Sequence, residues 1–159
     1  MYDHRTSLNL PSLYRAALLV SHFLFMNHDA SAEPLDPYRW KSRLIIASVP
    51  LGEARDDVAD ALAANRAAID ERDLKVIDVS PESARLPGTV RLDPEQTAAL
   101  RERLKLSARE TNAVFILIGK DGGEKARQRG TLKLASWFTL IDAMPMRRDE
   151  IRRQGKSRE

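Results

Sequence analysis

The sequence predicts an α/β sandwich around a mixed central sheet, and three observations predict it. Two apolar runs of strand length, Arg43–Val49 and Leu74–Val79, are separated by an amphipathic helical stretch, the alternation that builds parallel strand pairs. A third run, Asn112–Ile118, leads into Lys120-Asp121-Gly122-Gly123, a hairpin turn of the Asp-Gly type in which glycine supplies positive φ. The chain then returns through the charged stretch Glu124–Arg129 and closes on helical sequence, so a parallel pair and an antiparallel hairpin share one sheet.

Taken in order, Glu33-Pro-Leu-Asp-Pro-Tyr-Arg-Trp40 reads as an extended lead-in, because each proline disfavours helix in the residue before it. Arg43–Val49 is continuous and β-branched, the pattern of an interior strand. Pro50-Leu51-Gly52 breaks it, and Asp56-Asp57 opens a helix that buries Val58, Leu62, Ala63 and Ile69 and exposes Asp60, Asn65, Arg66, Asp70 and Glu71. Leu74–Val79 is the second strand, ended by Ser80-Pro81. Residues 82–92 contain the turn signal Pro87-Gly88 and read as a loop or short hairpin. Asp93-Pro94-Glu95-Gln96 starts a helix: Asp93 as N-cap, Pro94 in the first position, Gln96 completing a capping box, with the helix running through Leu100 and Leu104 toward Ala108. Glu124–Arg129 is an edge strand whose charges discourage pairing with other chains. Thr131 caps a helix that buries Leu134, Phe138 and Ile141 with Trp137 alongside, and a short helix starts near Pro145.

Ahead of this domain lies a stretch with the features of a leader. Residues 2–12 are polar, Arg15 adds a positive charge, and Ala16–Met26 is an apolar run shorter than the roughly 20 residues a bilayer span needs. Ala30-Ser31-Ala32 then offers the small-x-small pattern of a signal-peptidase site. The expectation is a signal peptide over 1–32 and cleavage after Ala32. A domain would follow over 33–152, with a basic flexible tail over 153–159. The product would be exported to a periplasm or the extracellular space, with no stable membrane span after cleavage. A mis-assigned start or an amphipathic tail is the alternative reading of the leader.

Composition then excludes several chemistries. The chain has no cysteine, and its three histidines, His4, His22 and His28, all precede residue 33. A domain with neither residue cannot hold zinc through the usual ligands, run a Ser-His-Asp or Cys-His relay, or exchange disulfides. No metal site and no cofactor are expected. The net charge of +3 is small, and only Arg147–Arg158 is locally basic, either a solvated helix face or a patch for anionic lipid or polyanion. Tyr38, Trp40, Phe115, Trp137 and Phe138 do not interleave with basic residues, so no nucleic-acid partner is expected.

Two motifs carry a family resemblance: Ile118-Gly-Lys-Asp-Gly-Gly-Glu-Lys125 and Leu140-Ile-Asp-Ala-Met-Pro-Met-Arg147. With them, the region from about Trp40 to Ile151 resembles a family of unknown function. That family comprises small exported bacterial proteins and domains of animal extracellular proteins of the equarin, coiled-coil-domain-80 and sushi-repeat (SRPX) group. The resemblance implies a thioredoxin-like three-layer sandwich with a mixed central sheet and flanking helices. In a thioredoxin the reactive cysteines follow the first core strand, which here is Leu51–Arg55 and contains no sulfur. The proline that faces that site has no counterpart in Thr111-Asn112-Ala113-Val114.

No residue is assigned a catalytic role. Glu53 and Arg55, at the end where the fold places its chemistry, are candidates for ligand binding. Lys120 and Lys125 at the hairpin are candidates for gripping a small anion, against the alternative that the lysines are simply solvated, and Asp121 and Arg147 are further ligand-binding candidates. Gly122 and Gly123 read as turn residues, Pro145 as a helix starter, and Asp142 as a partner of Arg147 or a cap. Met144 and Met146 read as a core plug or an adaptable surface. The expected function is a non-catalytic binding or accessory module for an unknown protein or envelope component. The alternative is a peroxiredoxin- or thioredoxin-related oxidoreductase component that works through a partner's thiols or a carboxylate site.

Overall fold

The computed structural model of the protein describes residues 33–80, 86–107 and 111–156, with Glu53 described by its backbone alone. The expected leader and its cleavage point at Ala32, the loop 81–85, the expected helix end at Ala108 and residues 157–159 lie outside the described residues. The chain divides into the units Met1–Glu33 and Pro34–Glu159, and the architecture below belongs to the second.

A single 3-10 turn, Asp36–Tyr38, precedes strand β1 (Arg43–Ser48). Helices α1 (Glu53–Ala64) and α2 (Arg66–Glu71) lead to β2 (Leu74–Asp78), and α3 (Pro94–Arg103) leads to the hairpin β3 (Val114–Ile118) and β4 (Glu124–Arg129). Helices α4 (Leu134–Asp142) and α5 (Pro145–Lys156) close the domain. The sheet order is β2-β1-β3-β4, with β1 parallel to β2 and antiparallel to β3, and β3 antiparallel to β4.

Strand alternation assigns side chains to two cores. Ile45, Ala47, Val76, Phe115 and Leu117 face α1, α2 and α4 and meet Val58, Leu62, Ile69, Leu134, Trp137 and Ile141. Leu44, Ile46, Ile77, Val114, Ile116 and Ile118 face the other way, onto Leu100 and Leu104 of α3 and onto Leu35 and Leu92. This is the expected three-layer sandwich. In the register, Phe115 lies opposite Ala47, so the largest side chain of β3 sits beside the smallest apolar one of β1.

Several local expectations are revised. The lead-in is not fully extended: Leu35 is buried at its start, and Asp36–Tyr38 turns so that Tyr38 N–H donates to Leu35 O at 3.0 Å. The first helix begins at Glu53 rather than at Asp56, because Gly52, at φ 111°, supplies a reversal open to glycine. It also breaks at Asn65, whose side-chain amide turns back to donate to Ala61 O at 2.8 Å, leaving α2 as a separate turn and a half. On α4 the buried stripe is Leu134, Trp137 and Ile141. Phe138 lies one step around, partly buried under the Arg72 guanidinium at 4.7 Å. Lys133 stands at the N-cap instead of Thr131, whose carbonyl accepts from the Gln128 side chain. Of the two methionines, Met144 packs against the core and Met146 is exposed. Helix α5 continues to Lys156, past the point where a flexible tail was expected.

The capping box is formed as written in the sequence: Asp93 Oδ1 accepts from Gln96 N–H at 2.7 Å, and Gln96 Oε1 accepts from Asp93 N–H at 3.3 Å. Asp93→Ala is expected to lower stability by about 1 kcal/mol in urea unfolding, with the denaturant slope unchanged.

Candidate functional site

The two ends of the sheet are built differently. At the carboxyl ends of β1 and β2, the chain leaves β1 through Pro50-Leu51-Gly52 and enters α1 with no side chain capping it. Arg55, in the first turn, is held there by Gly52 O, which accepts from its N–H at 2.8 Å. Its guanidinium reaches back under the sheet: Nη2 donates to Asp78 Oδ2 at 2.5 Å, and Nη1 donates to Val49 O at 3.0 Å and Ser80 Oγ at 3.2 Å. Asp78 also accepts from Ser80 Oγ at 2.6 Å and from Leu86 N–H at 2.9 Å. Both partners of this pair are almost sealed from water. Arg55, a ligand-binding candidate from the sequence, stands in the structure as a clasp joining α1, β1, β2 and the segment at Leu86. Glu53 occupies the first position of α1, and its side chain is not described.

Next to this clasp opens a cleft of about 230 Å³. Pro50, Ala54, Asp57, Val58 and Ala61 line one wall, and Thr111, Asn112, Ala113, Gly130, Thr131 and Leu132 the other. It thus lies between the segment that follows β1 and the segment that precedes β3, the two stretches singled out from the sequence. A larger groove of about 510 Å³ runs between α1–α2 and β2, with Pro87–Val90 on its far side. Its charged side chains Arg66 and Asp70 pair with each other at 2.9 Å.

At the other end of the sheet, four cations and four carboxylates share a network. Arg43, at the start of β1, is 1% exposed and donates from both terminal nitrogens to Glu150 of α5, at 3.1 and 3.2 Å. Lys120 Nζ sits 2.8 Å from Asp73 and 2.7 Å from Glu150. Arg147, also 1% exposed, pairs with Glu71 at 2.7 Å and Asp142 at 3.3 Å, while Arg72 holds the other oxygen of Asp142 at 2.6 Å. Burial alone would raise the Glu150 carboxyl. The hydrogen bonds and charges of Arg43 and Lys120 outweigh it and hold the group below its ordinary value. Asp142 is held low in the same way, burial opposing and Arg72 and then Arg147 prevailing.

Of the candidates at this end, Lys120 and Arg147 are already engaged by carboxylates of the chain, with Asp142 among them. Lys125 pairs with Asp121 at 2.6 Å, and that hydrogen bond lowers the Asp121 pKa. In the folded domain, then, Lys120, Lys125 and Arg147 face carboxylates of the chain itself, and Asp121 faces Lys125. Gly122 is a turn residue at φ 83°, and a Cβ there would meet Arg39 Nε at 3.0 Å. Gly123 has no left-handed φ; its N–H donates to Asp121 Oδ1 at 3.1 Å and its carbonyl accepts from Gly119 N–H. The tightest glycine is Gly119, where a Cβ would lie 2.5 Å from Lys125 Cε. Pro145 begins α5 as expected.

Asp78, Arg43, Arg72 and Glu150 were not among the sequence candidates. Asp78 and Arg43 carried a signal, a charge inside an otherwise apolar strand run, which demands a buried partner. Among the described residues, no group of three or more His, Cys, Asp or Glu side chains is placed to hold a metal ion. No described helix is long and apolar enough to cross a membrane.

Among solved structures, the chain is similar to reduced 2-Cys peroxiredoxin of Plasmodium vivax, with a TM-score of 0.52 at 15% identity over 69% of this chain and 68% of that one. It is also similar to the mitochondrial 2-Cys peroxiredoxin of Plasmodium falciparum, with a TM-score of 0.50 at 8% identity over 67% and 77%. Likeness at this identity speaks to fold alone: the architecture is thioredoxin-like. Nothing among the curated proteins matches. The model of one family, described as Domain of unknown function (DUF4174), matches residues 34–150.

Two outcomes follow from the charge clusters. Asp78→Ala removes the buried carboxylate to which Arg55 Nη2 donates at 2.5 Å and is expected to cost about 3–5 kcal/mol in chemical denaturation, whereas Asp78→Leu combined with Arg55→Met recovers most of that loss. Glu150 and Asp142 have depressed pKa values when folded, so their contribution is complete above the ordinary carboxylate range near pH ~4 and is lost as pH falls through the depressed values. Thermal denaturation is expected to show Glu150→Gln less stable than the native sequence at neutral pH, the two converging toward pH ~2.

Proposed function

The chain belongs to the DUF4174 family, and from that premise we propose that it is a non-catalytic binding module whose contact surface is the cleft beside Arg55. The observation that carries this reading is the Arg55–Asp78–Ser80 clasp. It fills the place where a thioredoxin-like fold carries its reactive thiols with a sealed ion pair that contains no thiol. The chain contains no cysteine, and the matched region contains no histidine. The cleft carries apolar side chains on both walls, Pro50, Ala54 and Val58 facing Ala113, and Leu51 beside it is 58% exposed. Such a surface suits an extended protein segment that inserts one apolar side chain. The lysines of the hairpin are committed to internal carboxylates, which moves the binding surface away from the turn.

Export of the module, to a periplasm or beyond the cell, is supported by the leader pattern over residues 1–32 and by a family match that starts at residue 34. The resemblance of the motifs Ile118–Lys125 and Leu140–Arg147 to animal extracellular domains supports the same reading. Amino-terminal sequencing of the secreted product tests the leader; a chain starting at Glu33 is the expected result.

The purified protein is expected to leave insulin disulfides intact and hydrogen peroxide unconsumed. It is also expected to show amide shifts at Pro50–Val58, Thr111–Ala113 and Gly130–Leu132 when titrated with apolar-anchored peptides from a random pool. Closing the cleft with Ala61→Trp should abolish those shifts while leaving the fold intact by circular dichroism. Turnover of either substrate above a protein-free control overturns the reading, as does peptide binding that Ala61→Trp leaves unchanged.

A further inference from the structure

Helix α5 is attached to the domain in an unusual way. Twelve residues long, it contributes a single buried side chain among the described residues, and that side chain is Arg147. Its apolar residues Met146 and Ile151 are 40% and 44% exposed, and neither core cluster includes a residue of α5. The other helices dock through apolar stripes: Val58 and Leu62 from α1, Ile69 from α2, Leu100 from α3, and Leu134, Trp137 and Ile141 from α4. What holds α5 is charge. Glu150 lies against Arg43 of β1 and Lys120 of the hairpin, with Arg147 of its own helix at 3.7 Å. Arg147 lies against Glu71 of α2 and Asp142 of α4, and it donates to Glu71 O at 3.1 Å. Arg72 and Asp73, in the turn between α2 and β2, complete the ring by holding Asp142 and Lys120.

We propose that α5 is a charge-latched lid that detaches as a unit, with the four-stranded sandwich still folded, when the Glu150 contacts are weakened. The physical reason is a difference in what each attachment depends on. Apolar docking is insensitive to moderate salt, whereas the carboxylates of this network are partly open to water, 58% for Glu71 and 35% for Asp142, and their pairs weaken as the Debye length falls from about 10 Å at 0.1 M to about 3 Å at 1 M salt. Once α5 lifts, Arg43 and Lys120 lose the carboxylate they share, and both cations are uncovered at the amino end of β1, Arg43 still donating to Arg72 O and Lys120 still beside Asp73. Together they have the donors for a single carboxylate or phosphate group: a planar guanidinium fork from Arg43 and a point charge from Lys120. The lid is thus closed by an internal anion, and an external anion competes for the same donors.

Peptide-resolved hydrogen exchange on the full chain tests this. In Glu150→Gln, amides of 145–156 are expected to exchange roughly tenfold faster or more, with Val114–Ile118 changed by less than about twofold. The native sequence should respond in the same way when NaCl is raised from about 0.1 M to about 1 M, which gives a reading that does not depend on the variant folding. The control Ile151→Ala removes an exposed apolar group and should leave α5 exchange as it was. Three results overturn the proposal: α5 exchange unmoved by both Glu150→Gln and salt, acceleration spread evenly over the sheet, or acceleration by Ile151→Ala equal to that by Glu150→Gln.

Discussion

The position of β1 constrains everything else in this domain. It is hydrogen-bonded along both edges, to β2 and β3, and covered on both faces, so that all six of its residues are buried. A strand enclosed in this way has no route to water except at its two ends, and polar groups there must be satisfied by protein. At the amino end the burden falls on Arg43, which needs a carboxylate from α5. At the carboxyl end the Val49 carbonyl accepts from Arg55, and the Val49 amide donates to Ser80 Oγ at 2.9 Å. The two charge clusters are the terminations of one buried strand.

This view explains why a fold associated with thiol chemistry persists here without a thiol. The carboxyl end of β1 is where backbone groups, a helix start and a cleft converge in any thioredoxin-like domain. Something polar must fill it. In this chain an arginine from the first turn of α1 does so, and its charge is neutralised by Asp78 from the neighbouring strand. The arrangement gives rigidity to the cleft wall, because Arg55 connects the wall's helix to two strands at once. A rigid concavity suits the recognition role proposed for it.

How much of this was legible in the sequence depends on the range of the interaction. Strands β1, β2 and β3, the capping box at Asp93 and the Asp-Gly hairpin were readable because each is decided by neighbours within a few residues. The break at Asn65 was hidden, since apolar spacing continues across it and only the side-chain bond to Ala61 marks the kink. The choice between Trp137 and Phe138 depended on how α4 is rotated against the sheet, which no local pattern fixes. The site residues were the least legible. Lys120 and Arg147 look solvated in a charged sequence, and their burial follows from contacts with Asp73, Glu71 and Glu150. Asp78 was the exception, a lone carboxylate in an apolar strand.

The register of the sheet has a consequence in time. Residues 43–48 take one partner from residues 74–78 and the other from residues 114–118, so a strand buried at every position waits for a partner far along the chain. Contacts so distant in sequence close slowly, because the entropy of the intervening loop must be overcome before any pairing energy is gained. Throughout that interval, as the chain is synthesised, β1 presents an open edge of Leu44, Ile45 and Ile46 with nothing yet to cover it. The sheet of such a polypeptide stays open until residues 114–118 have emerged.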